Sequence, residues 1–185
     1  MNKINFLKES LKNIRTSGTL FPSSRFLVSK LLKGVDFKTA KLIVEFGPGN
    51  GIITNNILNS LQPDAKLIIF EINDNFYNAL LKIDDNRLVV VKQSADTVIE
   101  VIKAHNFENA DYIISSLPLT NMPKTITTSI LNNAYNCLKS KGCFFQYQYS
   151  LTYYSNLKET FKGKISLSFE SLNIPPAFIY TCQKD

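Results

Sequence analysis

Residues 44–51 read VEFGPGNG, with glycines at positions 47, 49 and 51 between a short apolar run and a helix-like stretch. A glycine-rich turn between a strand and a helix lets backbone amides and the helix N-terminus approach a ligand closely, and nucleotide-like cofactors bind at such turns. The sixth position of the dinucleotide fingerprint GxGxxG is Ile52, and the Lys and Ser/Thr of a P-loop are missing. The turn therefore predicts a nucleotide-like cofactor other than a dinucleotide or a nucleoside triphosphate.

Two acidic residues flank this turn. Glu45 lies two residues before the first glycine, and Glu71 lies twenty residues after Gly51, at the end of the next apolar run. A carboxylate at Glu45 would repel a pyrophosphate, so we expect a positively charged cofactor. A carboxylate at the position of Glu71 accepts both ribose hydroxyls in this topology. The plain alternative is a connecting turn with two surface acids, and the agreement of loop, spacing and strand context favours the cofactor site.

The chain after residue 41 alternates short β-branched runs, such as KLIVEF, KLIIFEI and RLVVVK, with longer helix-like stretches. This alternation predicts βαβ units, and the consecutive apolar positions are typical of parallel strands buried on both faces. We further expect a helix over residues 124–138, a strand opened by Gly142, and two strands joined around Pro175 and Pro176. The predicted fold is α/β: a Rossmann-like, mostly parallel sheet with an antiparallel C-terminal hairpin at its edge.

Composition limits the class of protein. The 185 residues are 44% hydrophobic and 19% charged, which excludes a disordered chain and suits one domain. Three cysteines without a CxxC pair and one histidine, His105, predict neither a disulfide framework nor a metal site. The N-terminus has no apolar stretch of signal-peptide length. We therefore expect a cytoplasmic protein whose single domain has a basic helical extension over residues 1–34 and a cofactor-binding core over residues 35–185.

The basic charge is concentrated near the N-terminus. Residues 1–41 contain nine Lys and Arg against Glu9 and Asp36, a net charge of +7, whereas the other 12 basic and 13 acidic residues give −1. Four apolar residues also follow the spacing of one helical face: Ile4, Leu7, Leu11 and Ile14. This pattern predicts that residues 1–33 dock on an anionic membrane surface, and the alternative is a helix that packs its apolar stripe on the sheet.

The set of Glu45, the three glycines and Glu71 resembles the S-adenosylmethionine site of class I methyltransferases, whose cofactor carries an ammonium, a sulfonium and a ribose. In that family an Asp after the third strand usually binds the adenine amine. Here Ser94 stands at that position, followed by Ala95 and Asp96. Ser94 is able to accept the same hydrogen bond without a charge, and whether Asp96 takes over is open.

Four further motifs make the resemblance more specific: TSGTLFPSS (16–24), SSLPL (115–119), FFQYQYS (144–150) and NIPPAFIY (173–180). Over roughly residues 10–182 the chain resembles the bacterial phospholipid N-methyltransferases, which convert phosphatidylethanolamine toward phosphatidylcholine. The resemblance implies that S-adenosylmethionine is bound by Glu45, Gly47, Pro48, Gly49, Gly51, Glu71, Ile72, Ser94, Ala95 and Ser115. It also implies that three residues border the transferred methyl group: Leu117, Pro118 and Tyr147.

Candidates for substrate binding lie in two places. Ser23 and Ser24 precede the helix-like stretch RFLVSKLLK, where they and Arg25 would bind a lipid phosphodiester or would simply cap the helix. Tyr147 and Tyr149 alternate on the fifth strand, and their aromatic faces suit a methylated ammonium, or they are ordinary core and rim residues. We place His105 at the surface, and the general base stays open between a tyrosine, a water and the lipid phosphate.

Together these patterns predict a methyltransferase that acts on an aminophospholipid, peripherally bound to the inner face of the membrane. An RNA adenine N6-methyltransferase is the second hypothesis. Enzymes of that kind carry an aromatic residue that stacks on the flipped base, at a position that is Leu119 here, so nucleic acid is not the expected partner. A small-molecule amine methyltransferase and a noncatalytic binding module with a degenerate pocket are the remaining alternatives.

Overall fold

The computed structural model describes residues 23–162 and 164–185. The strands of this part of the chain are β1 (Leu42–Phe46), β2 (Lys66–Phe70), β3 (Leu88–Val91), β4 (Ala110–Ser115), β5 (Leu138–Gln148), β6 (Ile165–Glu170) and β7 (Ala177–Gln183). They form one sheet in the order β3-β2-β1-β4-β5-β7-β6. The pairs among β1 to β5 are parallel, and β7 runs antiparallel to both β5 and β6. The predicted parallel sheet with an antiparallel C-terminal hairpin is confirmed.

The helices of the same residues are α1 (Arg25–Leu32), α2 (Ile52–Ser60), α3 (Asp74–Leu80), α4 (Val98–Ala104), α5 (Lys124–Cys137) and α6 (Tyr154–Thr160). Short 3-10 turns cover Ala95–Thr97 and Leu119–Asn121. The helix expected over residues 124–138 is confirmed to within one residue. No described helix combines the length and the apolar composition that a membrane span requires.

Helices cover both faces of the sheet, which explains the consecutive apolar residues of the central strands. All five residues of β1 are buried. Successive side chains of a strand point to opposite faces, so Leu42, Val44 and Phe46 pack in one core with α4, α5 and α6. Ile43 packs in the other core, with α1 and α2. Each apolar side chain of this size that leaves water stabilises the fold by about 1.5–3 kcal/mol.

The fifth strand differs from the prediction that Gly142 opens it. β5 begins at Leu138, and its register with β4 shifts between the pairs Ala110/Leu138 and Tyr112/Cys143. Gly142 lies at this irregularity, where a Cβ atom would come within 2.9 Å of the backbone oxygens of Asp111 and Lys139. The glycine therefore marks a β-bulge within the strand and not its start.

Part of the basic N-terminal region lies within the structure. Leu27, Val28 and Leu31 of α1 are buried in the core that also contains Phe145 and Ile179. The predicted helical face of Ile4 to Ile14 lies outside the described residues, so membrane docking through residues 1–33 and the boundary after residue 34 stay predictions.

The strand ends that position the candidate site lie at one edge of the sheet. The carboxyl ends of β1, β2, β3 and β4 lie there because these strands are parallel. The antiparallel pairing Gln148/Phe178 brings the loop between β6 and β7 to the same edge. His105 is exposed at the end of α4, at the opposite edge, as expected.

Candidate functional site

A cavity of about 400 Å³ opens at the carboxyl edge of the sheet, within the size range of small-molecule sites. Its wall is formed by four segments: the glycine turn after β1, the end of β2, the turn after β3 and the turn after β4. The end of β5 and Ser23 complete the wall on the far side. Twelve residues with predicted functional roles line it: Ser23, Gly47, Pro48, Gly49, Glu71, Ile72, Ser94, Ala95, Leu117, Pro118, Tyr147 and Tyr149.

The glycine turn is held in a backbone conformation that other residues avoid. Gly47, Gly49 and Gly51 have φ values of +67°, +56° and +78°, in the left-handed region that glycine adopts without steric cost. The backbone N–H of Gly47 donates to the Phe70 carbonyl at 3.0 Å, which joins the turn to β2. A Cβ atom at Gly47 would lie 2.9 Å from Cδ2 of Leu117. The turn thus approaches the SSLPL segment as closely as glycine permits.

Glu71 lies at the end of β2 with its carboxylate fixed by the backbone. Its Oε2 accepts a hydrogen bond from the Gly49 N–H at 3.1 Å, and its Oε1 accepts one from the Asn73 N–H at 2.8 Å. Hydrogen bonds to a carboxylate are the stronger kind and give it a defined orientation. Glu71 is the only Asp, Glu, Lys, Arg or His among the described residues that line the cavity.

Glu45 differs from the sequence-based expectation. It is fully buried beneath the turn and does not line the cavity. Its Oε2 accepts a hydrogen bond from Thr54 Oγ1 at 2.7 Å, whereas its Oε1 has no partner among the described residues. Burial raises the pKa of Glu45 from 4.5 to about 8, and the nearby Glu71 adds to this increase. Burial therefore favours the protonated, uncharged form of Glu45 over the negative charge expected from the sequence, because the side chain of this strand residue points toward α2.

The structure distinguishes Ser94 from Asp96, the two residues that the sequence left open for adenine recognition. Ser94 is nearly buried and lines the cavity together with Ala95. Asp96, the other candidate for adenine recognition, does not line it. Phe76 of α3 contributes an apolar wall that the sequence analysis missed, because only its place beside Gly49 reveals a role.

The SSLPL segment reaches the cavity through a different serine from the one predicted. Ser115 is the last residue of β4 and is fully buried, with its Oγ 3.4 Å from the Leu117 N–H. The neighbouring Ser116 lines the cavity instead, and its Oγ has no partner among the described residues. Ser116 and not Ser115 reaches the cavity because adjacent side chains of a strand point to opposite faces of the sheet. Leu119, the position compared with a base-stacking aromatic, is buried in the core and outside the cavity.

Two glutamines hold the turn after β4 in place. The Nε2 atoms of Gln146 and Gln148 donate to the same carbonyl oxygen, that of Leu117, at 3.0 and 2.9 Å. Both glutamines are buried, and both belong to β5, where the sequence analysis considered only the tyrosines. The Leu119 N–H also donates to this oxygen, at 2.9 Å, so three donors share its two lone pairs and leave no acceptor capacity.

Two tyrosines form the outer wall. The rings of Tyr147 and Tyr149 meet edge to face, with centroids 6.0 Å apart and planes at 70°. Burial, with a smaller contribution from Tyr147, raises the pKa of Tyr149 to about 12, so this hydroxyl keeps its proton at neutral pH.

The N-terminal candidates separate into two groups. Ser23 lines the cavity, whereas Ser24 caps α1 by accepting a hydrogen bond from the Leu27 N–H at 3.2 Å. Arg25 is exposed and lies over the Phe26 ring, 4.8 Å from its centroid. The capping alternative is therefore the one the structure shows for Ser24. In residues 23–162 and 164–185, no cluster of three His, Cys, Asp or Glu side chains is placed to hold a metal ion.

Comparison with known proteins gives evidence that is independent of the geometry of the site. The family model described as "Methyltransferase small domain" matches residues 8–168. Ornithine lipid N-methyltransferase of Singulisphaera acidiphila is 27% identical over 180 residues, which cover 96% of this chain and 94% of that protein. Ribosomal RNA small subunit methyltransferase A of Blochmanniella pennsylvanica is 23% identical over 171 residues, which cover 90% of this chain and 61% of that protein.

Among solved structures, magnesium protoporphyrin IX methyltransferase of Synechocystis PCC 6803, with bound SAM, superposes with a TM-score of 0.63 at 10% identity. The superposition covers 100% of this chain and 85% of that one. At this level of identity the similarity concerns the fold.

Proposed function

Because the chain belongs to the methyltransferase small domain family and is an S-adenosylmethionine-dependent methyltransferase, we propose that it transfers the methyl group to the amine of a lipid. Phosphatidylethanolamine and ornithine lipid are the two acceptors to compare. The first is implied by the resemblance to the bacterial phospholipid N-methyltransferases, and the second is the lipid in the name of the relative that is similar over nearly its full length.

The residues of the cavity fit the cofactor. Glu71 would accept the ribose hydroxyls, Ser94 would accept the adenine amine, and the backbone of the glycine turn would follow the methionine part. Glu45 supports this assignment, because its buried and unpartnered Oε1 is an acceptor that a nearby cation would stabilise. When bound, the cofactor supplies a methyl group on a sulfonium that is open to in-line attack.

The uncharged aromatic wall of the acceptor side carries the proposal. Tyr147 and Tyr149 offer aromatic faces to an amine that becomes more cationic with each methylation, and such contacts contribute about 0.5–2 kcal/mol. Beside them, Ser116 Oγ would accept a hydrogen bond from the acceptor amine, since it lines the cavity and has no partner among the described residues. These contacts align the nitrogen with the methyl carbon, which is the main requirement of the reaction.

The described lining contains no histidine or lysine that would remove a proton from the amine, and its one carboxylate, Glu71, is engaged with the glycine turn. Of its two tyrosines, Tyr149 keeps its proton because burial raises its pKa. The base that takes the amine proton before attack is therefore Tyr147, a water or the lipid's own acidic group. The rate should accordingly rise with pH as the amine becomes neutral.

Methyl-labelled cofactor and four acceptors test the proposal. Detergent-dispersed phosphatidylethanolamine and ornithine lipid are compared with ribosomal RNA and with free ethanolamine. We expect label in the lipid extract with the wild type and a strong loss with Glu71→Gln. Label in RNA or ethanolamine, with none in either lipid, would overturn the proposal and favour the corresponding alternative.

A further inference from the structure

The loop between β6 and β7, residues 171–176 with the sequence SLNIPP, presents two large apolar side chains to solvent. Leu172 is 60% exposed and Ile174 is 71% exposed, the two highest values among the large hydrophobic residues of the described chain. The loop itself contains no charged residue. Neighbouring apolar side chains exposed in this way mark interaction sites more often than single exposed ones do.

The loop is attached to the mouth of the cavity through Asn173, the residue between these two. Asn173 is buried, and its Oδ1 accepts a hydrogen bond from the Ser24 N–H at 2.9 Å, next to the cavity residue Ser23. Its side chain also hydrogen-bonds Tyr149, which lines the cavity. The inward Asn173 thus fixes the outward direction of Leu172 and Ile174 beside the entrance.

Other exposed apolar residues lie at the same edge of the sheet. Phe26 is at the start of α1, which begins beside Asn173, and Leu151 follows the end of β5. We call the set Phe26, Tyr149, Leu151, Leu172 and Ile174 the mouth patch.

The charges around the mouth patch are basic. Residues 23–34 contain Arg25, Lys30 and Lys33 and no acidic residue. The acid nearest the loop, Glu170, is nearly buried, accepts a hydrogen bond from the Leu172 N–H at 2.9 Å and lies 3.5 Å from Lys30 Nζ. The patch therefore combines an apolar tip with a positive surround.

We propose that the mouth patch inserts into the surface of an anionic phospholipid bilayer, so that the cavity opens directly onto lipid. A bilayer offers apolar contact to Leu172 and Ile174 and anionic headgroups to Arg25, which lies over the ring of Phe26, whereas a neutral apolar protein groove offers no such headgroups. The inference rests on the proposed function, since a lipid acceptor must reach the cavity without leaving the membrane. It assigns membrane contact to the C-terminal hairpin, in addition to the prediction for residues 1–33.

The chain contains no tryptophan, so a single introduced tryptophan reports on its own surroundings. Leu172→Trp and Ile174→Trp are made in the full chain, with Leu81→Trp as the matched control. Leu81 is 54% exposed and follows α3, which contacts β3, the edge strand farthest from the C-terminal hairpin in the strand order. With vesicles of phosphatidylglycerol and phosphatidylcholine, we expect a blue shift and quenching by brominated acyl chains at positions 172 and 174, and neither effect at 81.

Three results would overturn the proposal. The first is emission at 172 and 174 that does not change with vesicles. The second is emission that is already blue-shifted without them, which would mean that residues 1–22 or a second copy of the chain covers the patch. An equal response at position 81 would likewise show adsorption without a defined orientation.

A double variant, Leu172→Ser with Ile174→Ser, tests the energetic part. Its affinity for the vesicles should fall by at least ~10-fold, while Leu81→Ser binds as the wild type does. Methylation of detergent-dispersed aminolipid should be retained, because neither residue lines the cavity. If the double variant keeps both vesicle binding and activity, the docking surface alone is refuted. If the wild type inserts into vesicles but methylates no aminolipid, the proposed function alone is refuted.

Discussion

Replacing Glu45 by Gln tests how a buried acid prepares the site for a cationic cofactor. In the structure the Glu45 carboxyl is fully buried, one oxygen is bound by Thr54 at 2.7 Å, and the other has no partner among the described residues. With a pKa of about 8, roughly 0.9 of these carboxyls are protonated at pH 7. A cation bound nearby favours the carboxylate, so cofactor binding should expel the proton.

The expected magnitude follows from this protonated fraction. Calorimetric titrations with S-adenosylmethionine at pH 7, in buffers of different ionisation enthalpy, should show release of about 0.5–0.9 proton per site by the wild type. Glu45→Gln keeps the size of the side chain and an acceptor for Thr54, but it has no proton to release. Its cofactor affinity should be lower, and the heat of binding should no longer depend on the buffer.

The same group makes the stability of the free protein depend on pH. The pKa of Glu45 rises from 4.5 to about 8 on folding, so its stabilising contribution is complete below pH 4.5 and disappears as the pH rises through 8. At about 1.4 kcal/mol per pH unit, at most on the order of 5 kcal/mol is involved. Glu45→Gln should be less sensitive to pH over this range in urea unfolding. Equal proton release by both proteins, or none by the wild type, would refute the reasoning.

Substitutions at three further positions have distinct expected outcomes. Glu71→Gln turns one acceptor oxygen into a donor facing a backbone N–H, so calorimetry should show about 10- to 100-fold weaker cofactor binding, and an unchanged affinity would contradict the assignment. Gly47→Ala forces an L residue into φ +67° against Leu117 and should lower the free energy of unfolding in urea by about 1–2 kcal/mol; an unchanged midpoint would speak against strain at this turn. Tyr149→Phe keeps the ring, whereas Tyr149→Ala removes it. Only the alanine variant should raise the KM for a methylated lipid, by about 2- to 30-fold, and equal effects would exclude an aromatic contact.

Much of the fold follows from local patterns in the sequence. The β-branched runs that became β1 to β4 are apolar at consecutive positions, because each parallel strand is covered by helices on both faces. The three glycines of VEFGPGNG predicted a turn that only left-handed backbone angles permit, and all three adopt them. Pro175 and Pro176 indicated the break in the C-terminal hairpin, since proline does not donate to a sheet ladder.

The sequence did not determine which way individual side chains point. The sequence predicted Ser115 at the site, whereas Ser116 lines the cavity in the structure. Side chains of a strand alternate between its two faces, and only the pairing of β4 with β5, which ends at Ser115, shows which face each residue takes. Gln146 and Gln148 belong to the motif FFQYQYS, but no role for either side chain followed from the sequence. Their common acceptor, the Leu117 carbonyl, is about 30 residues away along the chain, and only the pairing of β4 with β5 brings them together.

Sequence alone therefore determined the class of fold, the glycine turn and the residue types around a cofactor, since periodicity and turn chemistry act between near neighbours. Tertiary structure alone decided that Glu45 is buried with a raised pKa, that Leu119 belongs to the core, and that Leu172 and Ile174 are exposed on either side of Asn173, which bonds Ser24 near the cavity. Burial, pKa and exposure depend on which distant segments pack against a residue. That information lies in the pairing and packing of whole elements and not in any short stretch of the chain.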